Sequence, residues 1–470
     1  MAAQSIPSNS GSKASRWTQP ISISALLMLV PFLVMPVQAQ AQTSISGQSC
    51  TNTTGYDANY DYFKTKIVVD DAALFSVQYK NNYKVVTNTY SLVNQSFVLT
   101  QCGTPVPDAS LFPNNTVFTY VPASNVASIS TTGIAYIEML GARSTIKAID
   151  TESLVTSPCG QYGLEHGEIQ GLEDTNMTLR AQQLSSIDLI FNNYDSDPAS
   201  ANRTVITSEV SDPGPLNRAE WLEFYSTFFN LEEAAQNLTA SINNNYNCFK
   251  NAVASKATKP VIAWATYTAP STYNNNTPSW AFSNAPYKMI LSADAGATFY
   301  NGTTNMTFTT AAAFAAEALN VDVLIDETYT GADINAFYTN YNLTASSPHK
   351  FIQNKAVFRE DGLVNKNDGR DWFAGAVVMD DALLQDLIRA VHPDALPDNV
   401  PYNWLRNIAK NEPEQILSSA NCTTPDSNAA TPDRAIQCST MKVGTSSASS
   451  KTVAGTLTAV LGFLAIALAF

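Results

Sequence analysis

The sequence runs to 470 residues with a formal net charge of −14 at pH 7, 45% hydrophobic residues and 14% charged ones. So acidic a balance repels the phosphates of nucleic acid and of anionic lipid headgroups, and excludes both as partners on electrostatic grounds. Only three histidines and no CxxC pair occur, which excludes the ordinary imidazole or thiolate site for a bare transition metal.

At the amino terminus an apolar run, ISISALLMLVPFLVM, follows Lys13 and Arg16 and precedes Ala39-Gln40-Ala41. Basic residues, a short apolar core and an A-x-A pattern read as a secretory signal peptide over residues 1–41, because a spanning helix needs nearer about twenty apolar residues. The mature chain then enters an oxidising compartment, where Cys50, Cys102, Cys159, Cys248, Cys422 and Cys438 are expected to form three disulfides. Of the possible pairings, a local Cys422–Cys438 staple and a Cys50–Cys102 clip on an amino-terminal sheet are expected.

From Ile67 to Gln101 the stretches KIVVD, LFSVQY, YKVVTNTY and SFVLTQC read as hairpin strands, followed by a strand over Val117–Val121. Ser130-Thr131-Thr132-Gly133 opens an amphipathic helix ended by Gly141, and Ile146–Asp150 is a short buried strand. Strand, polar turn, helix and strand make a βαβ unit with the turn at the carboxyl edge of the sheet. A strand in SSIDLIFNNYD has an echo in VDVLIDE: Leu184, Ile187, Asp188, Leu189 and Ile190 against Leu319, Val321, Asp322, Val323 and Leu324. The echo predicts two α/β lobes of similar plan.

Between them, Leu216–Ala254 carries apolar residues at helical spacing without Pro or Gly, and predicts one long helix. The second lobe continues with the strand VIAWATY, Trp280-Ala281-Phe282, a helix over Thr309–Leu319, VDVLIDE, a helix over Asp333–Tyr341, the strand KAVFRED and a final helix over Asp371–Val391 ended by His392-Pro393. Ser418–Ser450 reads as a polar stalk. Small residues at Gly444–Ser447, a polar spacer and the apolar Val453–Phe470 form a glycosylphosphatidylinositol signal, with Gly444 or Ser446 as the attachment residue. Eleven sequons, at Asn52, Asn94, Asn114, Asn176, Asn202, Asn237, Asn275, Asn301, Asn305, Asn342 and Asn421, predict a glycan-bearing surface. The expected organisation is a signal peptide at 1–41, an amino-terminal lobe at 42–215, a linker helix at 216–256, a carboxyl-terminal lobe at 257–410, a stalk at 411–444 and a removed propeptide at 445–470.

Motifs of catalysis are missing from the sequence: there is no GxSxG, GxxxxGK[ST], HExxH or GxGxxG. His166 lacks a second histidine partner, and His349 and His392 adjoin prolines. Carboxylate neighbours such as Glu232/Glu233 and Asp380/Asp381 read as solvated faces rather than a glycosidase pair. The strand ends do carry polar and aromatic residues, where open α/β sheets hold ligands. The candidate ligand-binding residues are Ser130, Thr131, Thr132, Tyr194, Trp264, Tyr267, Trp280, Asp326, Glu327, Tyr329, Arg359 and Arg370.

The segments NVASISTTGIAYIEMLGARSTIKAID, SPCGQYGLEHGEI, RAEWLEFYSTFFNLEEAA, WAFSNAPYKMILSADAG and RDWFAGAVVMDDALLQDLIRAVHPD resemble eukaryotic, fungal-type surface relatives of the periplasmic binding proteins, in the class with one long backbone helix. The resemblance covers about residues 60–405. It implies an α/β fold of two Rossmann-like lobes with a ligand cleft between them, little hinge motion, no catalysis and no cofactor. It further implies a monomer tied to the membrane through its lipid anchor, whose partner is a small molecule such as a chelated metal, siderophore or corrinoid. The histidines that metal-capturing members use are missing at the matching strand ends. Competing expectations are a structural or adhesive wall glycoprotein that retains the fold, and a secreted hydrolase.

Overall fold

A computed structural model describes residues 50–193, 200–302, 306–425 and 429–442. The expected signal peptide, Tyr194, Asn305, Gly444, Ser446 and the apolar carboxyl-terminal run lie outside the described residues.

Alternating burial organises the first sheet: β1 (Phe75–Tyr79), β2 (Tyr83–Asn88) and β3 (Gln95–Gln101) form an antiparallel meander, and β4 (Val117–Val121) joins β3 in parallel. The expected strand at KIVVD does not form. Backbone donors at its end go to a side chain instead of a neighbouring strand: Asp70 and Asp71 N–H each donate to the Glu220 carboxylate at 2.7 Å.

The second sheet is wholly parallel. Its elements are β5 (Val126–Ser128), α1 (Thr131–Met139), β6 (Ile146–Ile149), α2 (Pro158–Glu165), β7 (Gln170–Gly171), α3 (Met177–Leu184), β8 (Leu189–Asn192) and β9 (Thr204–Ile206), with strand order β7-β6-β5-β8-β9. β5 runs centrally, buried on all its residues, as expected of a strand covered on both faces.

The connector is three helices rather than one: α4 (Pro215–Ala219), α5 (Trp221–Ser226) and α6 (Glu232–Ala254). Asn230 adopts a left-handed conformation with φ of 55°, which ends the run that began at Trp221. The pieces also differ in environment. Every residue of α5 is buried, whereas α6 buries a single stripe that includes Ile242, Tyr246, Phe249 and Val253.

The third sheet is built on parallel β10 (Val261–Thr268), β14 (Val323–Asp326) and β15 (Val357–Arg359). β11 (Ser279–Phe282), β13 (Thr307–Phe308) and β17 (Arg406–Asn407) extend it in antiparallel fashion, and β12 (Thr298–Phe299) pairs β10 in parallel. Helices α7 (Pro286–Asp294), α8 (Ala311–Ala318), α9 (Ile334–Tyr341) and α10 (Lys350–Gln353) intervene. The expected final helix is interrupted at Ala374 and Met379, giving α11 (Gly375–Val378) and α12 (Asp380–Val391). β16 (Leu363–Asn365) pairs in parallel with β18 (Gln415–Leu417). The protein is therefore a mixed α/β molecule with parallel sheets, and its main core runs from Phe97, Trp221 and Phe224 through to Trp264, Leu384 and Trp404 without a break. The described residues belong to one compact unit that begins at Ala41.

Two expectations about the carboxyl-terminal segment are corrected. The described part of the expected stalk is folded onto the body: Thr431 N–H donates to Glu138 O at 3.0 Å, Ile436 N–H to Gln385 Oε1 at 2.7 Å and Cys438 N–H to Asn245 Oδ1 at 2.8 Å. The Cys422–Cys438 staple does not form, because each cysteine reaches the body instead. The pairs are Cys159–Cys422 and Cys248–Cys438, alongside the expected Cys50–Cys102. The ten sequon asparagines among the described residues are all exposed.

Lys84 ties the first sheet to the break between α5 and α6. Fully buried, it donates to Thr227 O at 2.6 Å, Asn230 Oδ1 at 2.8 Å and Glu232 Oε1 at 2.5 Å. Burial lowers its pKa while Glu232 opposes that. Lys84→Ala leaves Glu232 buried without its cation, and is expected to cost about 3–5 kcal/mol in urea unfolding. The Lys84→Met, Glu232→Gln double variant should lose much less.

Candidate functional site

The strand-end residues named from the sequence divide into capping, packing and surface positions. Ser130 caps α1, its Oγ accepting from Thr132 N–H at 3.2 Å, and Thr132 Oγ1 donates to Phe373 O at 2.7 Å. Trp264 is fully buried, donates to Ser292 Oγ at 3.2 Å and packs on Trp372 with ring centroids 5.8 Å apart. Tyr267 lies 5.3 Å from Trp280, whose indole donates to Asn340 O at 2.8 Å. Asp326 and Arg359 are paired at 2.6 Å, and a buried relay continues through Asp361 to Arg406. Glu327 pairs with Lys288, and Arg370 sits 4.6 Å from the ring of Tyr329, which is exposed. Most of these side chains are thus engaged by the protein itself, and they do not converge on one open space.

A cavity of about 270 Å³ does open beside α1, and of the named residues Thr131 lines it. Its walls come from one face of α1, the turn leading into α2, the segment from Asp371 to Met379 and the carboxyl-terminal residues around Thr431 and Arg434. The location follows from topology: α1 and α2 follow β5 and β6, so their amino ends lie at the carboxyl edge of the parallel sheet. The disulfide Cys159–Cys422 brings the carboxyl-terminal segment over this edge.

Glu138 stands in the cavity wall from the last turn of α1. Both its carboxylate oxygens lie 2.7 Å from Ser157 Oγ, whose oxygen also accepts Gly160 N–H at 2.9 Å as the cap of α2. Burial pushes the Glu138 carboxyl up to about 7, against the Ser157 hydrogen bond and the charge of Arg143. Arg143 donates to Thr424 O at 2.6 Å and Pro425 O at 3.1 Å. Asp371 accepts from Thr156 Oγ1 at 2.7 Å, from the Trp404 indole at 2.9 Å and from Arg434. The chain's approach is tight here, for a Cβ at Gly375 would collide with the Asp371 carboxylate.

Histidine takes no part. His166 stacks on Tyr162 at 3.8 Å, His349 contacts Ala315 O at 2.8 Å and His392 contacts Gly296 O at 3.0 Å. Among the described residues no group of three His, Cys, Asp or Glu side chains is placed to hold a metal ion. What the arrangement offers is a partly open cavity with a titratable carboxyl and an apolar wall of Ile134, Ala135, Val155 and Met379. Sequence reasoning missed Glu138, Ser157, Asp371 and Arg434. Glu138 reads as part of an amphipathic helix, and the segment holding Arg434 reads as stalk; the Ser-Pro start of α2 was the one local signal.

No protein-family model matches the sequence, and no curated protein matches it. Similar solved structures include a periplasmic haem-binding protein from Pseudomonas aeruginosa, at 12% identity and TM-score 0.44, covering 62% of this chain and 99% of that one. A periplasmic binding protein from Veillonella parvula is 11% identical at TM-score 0.44, covering 68% and 98%. A possible iron-binding periplasmic protein from Staphylococcus epidermidis is 13% identical at TM-score 0.42, covering 58% and 99%. At such scores the likeness assigns nothing by itself, and the α/β architecture stands on the strand pairings. Among the described residues no helix is long and apolar enough to cross a membrane.

Because the folded state holds a proton on Glu138 more tightly than the unfolded chain does, its contribution to stability is full below about pH 4.5 and is lost as pH rises through about 7. That rise corresponds to about 3 kcal/mol. Glu138→Gln, which cannot ionise, should match the parent at pH 4 and exceed it by up to about 3 kcal/mol at pH 8 in urea melts. Parallel curves at both pH values would contradict the assignment.

Proposed function

We propose that the chain is a secreted, N-glycosylated, non-catalytic solute-binding protein of the cell surface, anchored by a glycolipid at Gly444 or Ser446. It takes a small extracellular ligand in the cavity beside Glu138. The observation that carries this reading is the cavity itself: a partly open space beside a parallel sheet, walled by both halves of the chain, where an apolar patch adjoins polar and charged side chains. Exposed sequon asparagines and three disulfides support the secreted setting. At about 270 Å³ the space is smaller than the pockets of roughly 300–1,000 Å³ that hold drug-sized ligands. That volume favours a ligand well below the size of a corrinoid or a ferric siderophore.

A second reading, a structural wall glycoprotein, is favoured by the burial of Trp264, Asp326 and Arg359 in contacts with the protein's own groups. A thermal-shift screen of the mature glycoprotein with small extracellular solutes separates the two. A ligand at a hundred times its dissociation constant adds about 2.7 kcal/mol of stability. Stabilisation that is lost on filling the cavity by Ala135→Phe supports binding, and no shift across the screen leaves the structural reading. For the anchor, phosphatidylinositol-specific phospholipase C should release the protein from cells, and replacing both Gly444 and Ser446 by Leu should abolish surface display.

A further inference from the structure

We infer that the ligand of this cavity is a small organic cation, an amine with a short apolar body, whose ammonium group pairs with the Glu138 carboxylate. The inference rests on the solute-binding reading and follows from which charges around the cavity are already committed. Asp371 accepts from Thr156, Trp404 and Arg434, so both its oxygens are occupied. Arg434 is spent on Asp371, and Arg143 on the carbonyls of Thr424 and Pro425. Asp433, also in the lining, acts on the Asp381 carboxyl of α12 and raises its pKa. Glu138 differs from these, since its two oxygens share a single hydroxyl, that of Ser157.

The charged groups that act on Glu138 are Arg143, Asp371 and Arg434, and all three have partners of their own. An anionic ligand would meet Glu138 and Asp371 together. A bare metal ion lacks the three-ligand cluster it needs among the described residues. An ammonium supplies donors that the carboxylate lacks, in surroundings where a charge-assisted bond is strong. Ile134, Val155 and Met379 leave apolar wall for a short alkyl body.

Burial keeps the empty site's carboxyl partly protonated near neutral pH. Capture of an ammonium ion then forms the carboxylate–ammonium pair and expels the carboxyl proton to solvent, with no other bond made or broken. Affinity therefore rises with pH between about 6 and 8 until the ligand's own amine deprotonates.

The test compares three probes of one shape, n-butylamine, butyrate and 1-butanol, by calorimetry on the mature glycoprotein. Butylamine should bind with proton release, detected as heats that differ between buffers of different ionisation enthalpy at pH 6.5. Butyrate and butanol should bind more weakly or not at all. Glu138→Gln should weaken butylamine by about tenfold to a hundredfold and remove the pH dependence. Equal or tighter binding of butyrate or butanol, or an undiminished Glu138→Gln variant, overturns the cation inference while leaving solute binding intact. Silence from all three probes overturns it as well, and the wider solute screen then decides the parent reading. If Glu138→Gln fails to fold, proton release by the parent protein decides alone.

Discussion

Attachment of the carboxyl-terminal segment to the amino-terminal half is the constraint on which the cavity depends. Residues 429–434 are alanine, threonine, proline, aspartate and arginine, with little apolar surface to hold them on α1. Cys159–Cys422 and Cys248–Cys438 supply what composition does not, closing loops of 263 and 190 residues. In the chain-entropy account each such closure contributes on the order of 5 kcal/mol by restricting the unfolded chain. The described residues between the two anchors bond to α1 and α12 and form one wall of the cavity.

The third sheet shows the opposite use of polar groups. Asp326, Arg359, Asp361 and Arg406 form a continuous buried relay at its carboxyl edge, each charge answered by the next. Charges so matched fix geometry while presenting no free valence to a visitor. The cavity beside the second sheet, by contrast, leaves one carboxyl with a single hydroxyl partner. The two sheets have thus been given different work.

The elements legible in the sequence are those whose signal is local. β2, β3, β10 and β14 announce themselves by β-branched runs, and α1 by its Ser-Thr-Thr start and Gly141 stop. What escaped was set by distant partners. The long connector reads as one helix because nothing in its composition marks Asn230 as left-handed; Lys84 and Gln101, far back in the chain, hold its side chain there. The stalk reading failed for the same reason, since a Ser- and Thr-rich segment looks solvated until its cysteines find Cys159 and Cys248. Trp264 and Arg359 were visible as residues of the right type, but burial and pairing are properties of the fold and not of a strand's end.

The disulfide pattern also sets an order on biosynthesis. Cys50 and Cys102 are close enough to join while the chain is still emerging, whereas Cys159 must wait through 263 further residues for Cys422. At ribosomal speeds of about 5–20 residues per second that wait is on the order of 10–50 s. Once Cys248 has been made, it and Cys159 are both present as thiols until Cys422 follows. A protein wired this way acquires the last wall of its cavity only once Cys422 has been made, and depends on thiol exchange to undo any early mispairing.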